Sequence, residues 1–236
     1  MTSALPARAP ASRAMVEAWI AGLIAGYLIG SVPNGLWIGR LVSGADLRSD
    51  GSGKMGATNA LRKLGPRWAA LIFLLDLGKG VLPVAIIMLA FSSPTGEMLA
   101  ALATLIGHIY PVFAGFRGGR AAAPGLGAVF IMTPAAALIA LATGAGLLVT
   151  TRIVSLAVLL GMIVSAVGQG FLVAYGGEPD AYYGFVVGSW LIITFAHRDN
   201  ISRLMAGTER VLGRPAAAAS PATCGSAPAG DSRTAP

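Results

Sequence analysis

Residues 68–91 read WAALIFLLDLGKGVLPVAIIMLAF, an apolar run with only two ionisable residues. A transmembrane helix needs about 20 consecutive apolar residues, so this run is long enough to cross a bilayer. Five further apolar runs occupy 16–39, 98–114, 125–149, 153–175 and 182–196. Hydrophobic residues make up 55% of the chain and charged residues 11%, a balance that exceeds what a soluble domain needs for its core. The sequence therefore predicts an all-α, polytopic membrane protein.

The two ends of the chain differ from this apolar centre. Residues 1–14 and 213–236 are rich in Ala, Pro, Ser and Gly and show no hydrophobic periodicity. Such composition is typical of disordered segments. We expect two disordered tails around a single transmembrane domain at 15–212. Cys224 is the only cysteine and lies in the second tail, so neither a disulfide framework nor a cysteine metal site is expected.

Basic residues in the connections between apolar runs predict the topology. The connection 92–97 has no basic residue, whereas 115–124 has two and 40–67 has six. The positive-inside rule therefore places 40–67 and 115–124 in the cytoplasm and 92–97 outside. The N-terminus should then lie outside the inner or plasma membrane, and the C-terminus inside. Because the cations lie in connections rather than along one helix face, they indicate topology rather than nucleic-acid binding.

Six simple crossings cannot place all of the later basic segments in the cytoplasm. Arg152 favours that side, and so do the basic residues that follow residue 196. Pro134 lies within the run 125–149, and proline breaks a helix because it lacks a backbone N–H. We therefore expect 125–149 to be a hairpin or a broken helix pair, which gives about seven short transmembrane helices.

Four polar segments interrupt the apolar background, at 30–34, 46–59, 107–120 and 197–209. The predicted topology places all four at the cytoplasmic membrane surface. The segment 46–59 combines glycines, hydroxyl residues and cations, which can direct N–H groups and positive charge at a phosphate. It lacks the order of a Walker A loop, and a flexible basic loop remains the alternative. Together the segments predict a pocket that holds an anionic head group while an acyl chain stays in lipid.

Asp76 and Lys79 lie inside the apolar run 68–91. An ionisable residue in the membrane is unfavourable unless it is paired or functional, and these two can pair one helical turn apart. Neither His108 nor His197 establishes catalysis alone, because a histidine near a helix end is more often structural. The few His and carboxylate residues do not form a metal-ligand pattern, so no metal is expected.

The order and spacing of these motifs resemble the bacterial acyl-phosphate-dependent glycerol-3-phosphate acyltransferases, over about residues 20–210. The matching motifs are Gly30-Ser31-Val32-Pro33, Asp46-Leu47-Arg48, Gly51-Ser52-Gly53, Gly56-Ala57-Thr58-Asn59, Asp76-Leu77-Gly78-Lys79-Gly80, Gly107-His108, Phe116-Arg117-Gly118-Gly119, Val154-Ser155-Leu156 and parts of 197–209.

This resemblance implies a seven-helix membrane enzyme of phospholipid biosynthesis. It would transfer an acyl group from an acyl-phosphate to the 1-hydroxyl of sn-glycerol-3-phosphate, giving lysophosphatidic acid and phosphate. The implied partners are these two substrates and membrane lipid, with no nucleic acid. Neither a cofactor, a metal nor an acyl-enzyme intermediate is implied.

The resemblance also implies a set of site residues. The candidate catalytic residues are Ser31, Arg48, Lys79, His108, Ser155, His197 and Asn200. The candidate substrate- and phosphate-binding residues are Ser52, Gly53, Thr58, Asn59, Arg117, Gly118, Gly119, Arg120, Arg203 and Glu209. Residues at the acyl-phosphate are expected to be Ser31, Arg48, Ser52, Thr58, Asn59 and Lys79. Residues at glycerol-3-phosphate are expected to be His108, Ser155, His197, Asn200 and Glu209.

Several positions depart from the family's pattern, among them Pro124, where the family has a threonine. Its Gly-Gly-Lys-Gly-Val-Ala-Thr stretch corresponds to 118–124 here, with Arg120 at the lysine and Ala121 at the following glycine, and Lys54 replaces a family asparagine. Arginine keeps the charge but changes the donor geometry. Ala121 is unfavourable if its position requires a positive φ.

Two alternatives therefore stay open. The first is a divergent member that binds a phospholipid precursor without turnover. The second is a small membrane transporter, whose intramembrane charges would line a path across the bilayer. The gathering of charge on one side of the membrane disfavours transport.

Overall fold

The computed structural model describes residues 11–49 and 51–213, and every regular element in these ranges is helical. Seven helices are predominantly apolar: α1 Ala11–Gly30, α4 Pro66–Phe91, α5 Pro94–Ile109, α6 Ala122–Met132, α7 Pro134–Thr151, α8 Val154–Tyr175 and α9 Ala181–Ala196. The shorter elements are α2 Asn34–Ser43, α3 Ala57–Leu64, α10 Arg198–Met205 and the 3₁₀ turns Leu47–Ser49 and Val112–Ala114. This confirms the all-α, polytopic fold.

Five of the described segments are long and apolar enough to cross a membrane, and α6 and α9 are shorter apolar helices. The expected run 16–39 is not one helix, because the chain breaks at Ser31-Val32-Pro33 and begins α2 at Asn34. The connection 40–67 contains the end of α2, the 3₁₀ turn Leu47–Ser49, α3 and the start of α4. Helix α1 begins at Ala11, and most of the two expected tails lies outside the described residues.

The expected break at Pro134 divides the run 125–149 into α6 and α7. Pro134 is the first residue of α7, where its missing N–H costs no helical hydrogen bond. Thr133, at the junction, is fully buried, and its hydroxyl accepts a hydrogen bond from Gln169 Nε2 of α8 at 2.9 Å. With a rise of 1.5 Å per residue, α6 is only about 16 Å long, which is shorter than the ~30 Å hydrocarbon core.

Small residues bring helix backbones close together in two places. Helix α1 packs along α5, and a methyl group on Gly26 would overlap the carbonyl of Ala100. Helix α4 packs along α6, and a methyl group on Gly80 would overlap the carbonyl of Pro124. Such close approach favours helix association in lipid, where burial against apolar lipid contributes little.

At one end of the bundle, several connections meet. Arg48 Nη1 donates hydrogen bonds to the carbonyl oxygens of Ala114 at 2.7 Å and Arg117 at 3.1 Å. The backbone N–H of Leu212 donates to the carbonyl of Arg152 at 2.8 Å. The polar segments that are far apart in sequence are therefore gathered at this end, as the sequence predicts. We call it the polar end.

Candidate active site

A cavity of about 590 Å³ begins at the polar end and lies between α3, α4, α6, α7, α8 and α9. Its polar and charged lining residues are Ser52, Lys54, Thr58, Asn59, Arg62, Asp76, His108, Arg120, Ser155, Ser165, Gln169, Ser189, His197, Asn200, Arg203, Glu209 and Arg210. Most of the other lining side chains are apolar and come from α6, α7, α8 and α9. The cavity therefore joins a cationic mouth to an apolar interior.

The structure brings most of the predicted site residues into this cavity. Those that line it are Ser52, Thr58, Asn59, His108, Gly119, Arg120, Ser155, His197, Asn200, Arg203 and Glu209. A second cavity of about 220 Å³ is lined by three others, Gly53, Arg117 and Gly118. Lys54 and Gly119 contribute to both cavities. Ser31, Arg48 and Lys79 line neither cavity.

Arg48 holds two connections together rather than facing the cavity. Besides its bonds to the carbonyls of Ala114 and Arg117, its guanidinium pairs with the Asp46 carboxylate at 2.8 Å. The hydrogen bond from Arg48 lowers the pKa of Asp46 to about 2, against the opposing effect of partial burial. Arg48 therefore joins the segment around Asp46 to the connection 112–117.

Asn59 organises the glycine-rich loop from within. It is 1% exposed, and its amide donates to the carbonyls of Leu47 at 2.6 Å and Lys54 at 2.9 Å. Its oxygen accepts from the N–H of Ser52 at 3.3 Å. These bonds hold the loop that brings Lys54 to the cavity.

Lys79 is buried in a small polar cluster beside the cavity. Its Nζ lies 2.9 Å from Asp76 Oδ1 and donates to the carbonyl of Val32 at 2.9 Å. The Asn34 amide donates to the same carboxylate oxygen at 3.0 Å. The pairing of Asp76 with Lys79, which the sequence left as an alternative, is thus present, and only Asp76 of this pair lines the cavity.

Glu209 fixes two residues at the cavity mouth. Its Oε1 accepts from the Asn200 amide at 2.9 Å, and its Oε2 pairs with Arg203 Nε at 2.9 Å. Because both oxygens are engaged and the side chain is 7% exposed, Glu209 positions Asn200 and Arg203. The Arg203 guanidinium retains further donors that an anion can use.

The cations at the mouth repel one another. Burial, and next the nearby Arg203, lower the pKa of Arg120. Burial, and next Arg120, lower the pKa of Lys54. Like charges gathered in a partly desolvated site are stabilised by a bound anion. The mouth is therefore electrostatically suited to a phosphate group.

Several buried polar atoms of cavity residues have no hydrogen-bond partner within the described protein. They are His108 Nδ1, Arg120 Nε, Ser155 Oγ and Asn200 Oδ1. Buried polar groups are nearly always hydrogen-bonded, so each unpaired one needs an explanation. A polar ligand in the cavity would supply these partners.

His197, directly after α9, is neutral near neutral pH. Burial lowers its pKa to about 4, and its Nδ1 lies 2.9 Å from the carbonyl of Ile193. This contact assigns the proton to Nδ1, which donates to the carbonyl and leaves Nε2 as an acceptor. A neutral imidazole in this tautomer can accept a hydrogen bond from a substrate hydroxyl.

The stretch 118–121 depends on its small residues. A methyl group on Gly118 would overlap the carbonyl of His108, and one on Gly119 would overlap the His108 ring. Ala121 adopts a φ of 60°, in the left-handed region, immediately before α6. This is the conformation that favours glycine, which the family has at this position. The alanine therefore keeps the required backbone conformation under strain.

Some cavity residues were not among the predicted site residues. They include Lys54, Arg62, Asp76 and Arg210. Arg62 lies four residues after Thr58 on α3, so a helical interpretation of 57–64 would have placed both on one face. Among the residues that the structure describes, no group of three His, Cys, Asp or Glu side chains could hold a metal ion.

Fold and site together define a polytopic membrane protein with a cationic cavity for an anionic group and an apolar extension. Comparison with known proteins identifies the family.

A sequence model of the glycerol-3-phosphate acyltransferase family matches residues 20–207. A glycerol-3-phosphate acyltransferase of Synechococcus sp. (strain CC9902) is 42% identical over 191 residues, which cover 81% of this chain and 94% of that relative. One from Halalkalibacterium halodurans is 38% identical over 196 residues, with coverage of 81% and 94%.

Solved structures show the same relationship. The crystal structure of PlsY (YgiH), an integral membrane glycerol 3-phosphate acyltransferase, in its glycerol 3-phosphate form, superposes with a TM-score of 0.76 at 37% identity. The match covers 84% of this chain and 96% of that one. Its lysophosphatidic acid form gives a TM-score of 0.74 at 35% identity. This chain belongs to the glycerol-3-phosphate acyltransferase family, and it is an integral membrane acyltransferase.

Proposed function

We propose that the protein transfers an acyl group from an acyl-phosphate to the 1-hydroxyl of sn-glycerol-3-phosphate. The products are lysophosphatidic acid and inorganic phosphate. The observation that carries this proposal is the composition of the larger cavity. Arg120 and Arg203 lie at its mouth, whereas its interior is lined mainly by apolar side chains of four helices. A phosphate group and an acyl chain would each meet matching surroundings.

The reaction needs no protein nucleophile. The 1-hydroxyl oxygen attacks the acyl carbonyl carbon, and the bond between that carbon and the phosphate oxygen breaks. The hydroxyl proton passes to the departing phosphate, which leaves as hydrogen phosphate. The protein then contributes orientation of the two substrates and stabilisation of the charge that develops on the leaving group.

We assign the following roles to the predicted residues. Arg120 and Arg203 bind phosphate groups, and Ser155 and Asn200, with their unpaired polar atoms, bind the glycerol portion. His197 Nε2 accepts a hydrogen bond from a glycerol hydroxyl. The positioning residues are Arg48, Asn59, Lys79 and Glu209. Gly53, Arg117 and Gly118 line the second cavity.

The polar end lies in the cytoplasm and the N-terminus outside, by the positive-inside rule. Seven apolar helices are consistent with this arrangement. With an odd number of crossings, the two ends of the chain lie on opposite sides of the membrane. The basic connections then all lie on the cytoplasmic side. The acyl-phosphate and glycerol-3-phosphate would accordingly reach the cavity from the cytoplasm.

The proposal is tested by offering the purified protein, in lipid, three palmitoyl donors with and without glycerol-3-phosphate. The donors are palmitoyl-phosphate, palmitoyl-coenzyme A and palmitoyl-acyl carrier protein. We expect lysophosphatidic acid, detected by mass spectrometry, from palmitoyl-phosphate only. Product from a thioester alone would overturn the choice of donor. Saturable binding of lysophosphatidic acid without product from any donor would favour the precursor-binding alternative.

A further inference from the structure

The larger cavity reaches far from its polar end along α8. The side chains of this helix that line it include Ser155, Val158, Met162, Ser165 and Gln169. Their spacing of three or four residues marks a single helix face. With a rise of 1.5 Å per residue, Ser155 and Gln169 lie about 21 Å apart along the axis. The cavity is therefore a deep groove that follows one face of α8.

Gln169 closes the deep end of this groove. It is 1% exposed, and its Nε2 donates a hydrogen bond of 2.9 Å to Thr133 Oγ1 at the junction of α6 and α7. Thr133 is itself fully buried. The next residue on the same face of α8, Val173, is packed in the core with Phe185 and does not line the cavity. Along α8, the lining of the groove thus ends on an amide, and the buried ring of Phe185 on α9 also lines the cavity.

We propose that Gln169, held in place by Thr133, limits the length of the acyl chain that the enzyme accepts. This inference rests on the proposed function. A chain that reaches Gln169 meets an amide whose hydrogen bond to Thr133 is already formed. A longer chain would have to move that amide and leave two polar groups unpaired in apolar surroundings, which is unfavourable. Gln169 is a specificity-determining residue in this account, because it faces the end of the chain and not the reacting atoms.

A purely structural role for Gln169 predicts a different outcome. The same hydrogen bond joins α8 to the helix break at Thr133, so its loss would also weaken the fold. A structural residue changes stability without changing the preference among acyl chains. The test therefore reads the chain-length preference and the stability separately.

The test uses binding of lysophosphatidic acids with lauroyl, myristoyl, palmitoyl and stearoyl chains to the purified full chain. Gln169→Ala lengthens the groove, and Ser165→Leu fills it about 6 Å nearer the polar end, given 1.5 Å per residue. We expect the ratio of stearoyl to myristoyl affinity to rise roughly three- to tenfold in Gln169→Ala and to fall by a similar factor in Ser165→Leu. This change is at or below the roughly tenfold minimum that a single methylene group contributes in a closed pocket.

Two further variants complete the design. Gln169→Leu keeps the bulk of the side chain without its hydrogen bond, so it should weaken the length limit less than Gln169→Ala does and should lower the melting temperature. Val167→Ala is the matched control, because Val167 is 69% exposed and does not line the cavity, and it should leave the preference unchanged. Identical chain-length profiles in Gln169→Ala, Ser165→Leu and the unmodified protein would overturn the inference.

Measurements of binding and of turnover distinguish failure of the proposed reaction from failure of the proposed length limit. If the lysophosphatidic acids bind with the expected length preference but acyl-phosphates give no product, the proposed reaction is wrong and the length limit stands. If acyl-phosphates are turned over and neither Gln169→Ala nor Ser165→Leu changes the chain-length preference, the reaction stands and the role of Gln169 is wrong.

Discussion

The ammonium group of Lys79 lies 2.9 Å from the carboxylate of Asp76, one helical turn away inside the apolar helix α4. Each side chain is 4% exposed. A buried ion pair contributes little net stability by itself, but removal of one partner leaves an uncompensated charge. The pair therefore fixes the polar cluster beside the cavity, and its loss should affect folding before chemistry.

Lys79→Met should lower the free energy of unfolding by about 3–5 kcal/mol, the cost of leaving one buried charge unpaired. The double variant Asp76→Asn with Lys79→Met should recover a large part of this loss, because no isolated charge remains. Thermal unfolding in detergent measures both effects. Equal losses in the single and double variants would show that the pair is not coupled.

Ala121→Gly should raise stability or leave it unchanged, although glycine usually weakens a helical protein. The left-handed φ of Ala121 costs an alanine about 1–2 kcal/mol, which glycine avoids. The matched control is Ala142→Gly, on the exposed face of α7, which should cost about 0.5–1 kcal/mol. Thermal unfolding of the two variants measures both changes in stability. A loss in Ala121→Gly as large as in Ala142→Gly would contradict a strained residue 121.

The pH dependence of stability should contain a contribution from His197. Its folded pKa, about 4, lies below the ordinary histidine value of 6.5 because the ring is buried. The neutral ring therefore contributes stability above pH 6.5, and this contribution is lost as the pH falls from 6.5 through 4. The melting temperature of the unmodified protein should fall more steeply over this range than that of His197→Asn. Parallel pH curves for the two proteins would contradict a neutral, buried His197.

The orientation in the membrane is open to cysteine labelling in spheroplasts. Cys224 is first replaced by Ser, and single cysteines are introduced at Asp180, between α8 and α9, and at Ser202, on α10; both positions are exposed. A membrane-impermeant maleimide should label the cysteine at 180 in intact spheroplasts and the cysteine at 202 only after lysis. The reverse pattern would place the polar end outside.

Most of the apolar helices could be predicted because they lie in long apolar runs with a clear signal, and α6, with 11 residues, is the shortest of them. The break at Pro134 also followed from a local rule, since proline cannot continue a helix without loss of a hydrogen bond. The short helices α2 and α3 were missed because neither forms a long apolar run. Helix α3 lies within the connection 40–67, where charged residues dominate the signal, and α2 begins before this connection, inside the run 16–39.

The kind of site could be predicted from the sequence more readily than the roles of its individual residues. Glycine, hydroxyl and basic residues in four segments indicated a phosphate site, and the structure gathers most of them in one cavity. The inward positions of Asp76 and Arg62 depend on helix faces that the sequence did not define. The contacts of Arg48 with the carbonyls of Ala114 and Arg117 join residues more than sixty positions apart, and no local pattern specifies such a pair.

The central claim, that the larger cavity is the catalytic site, is tested most directly by two variants of the same helix. Ser155 lines the polar part of the cavity, whereas Val167 faces outward. The measurement is the rate of glycerol-3-phosphate-dependent phosphate release from palmitoyl-phosphate by the purified protein, by Ser155→Ala and by Val167→Ala, each shown to be folded by its melting temperature. We predict release by the unmodified protein and by Val167→Ala, and a rate at least about tenfold lower in Ser155→Ala, from the loss of one positioning hydrogen bond. Equal rates in all three proteins would contradict the assignment of the site to this cavity.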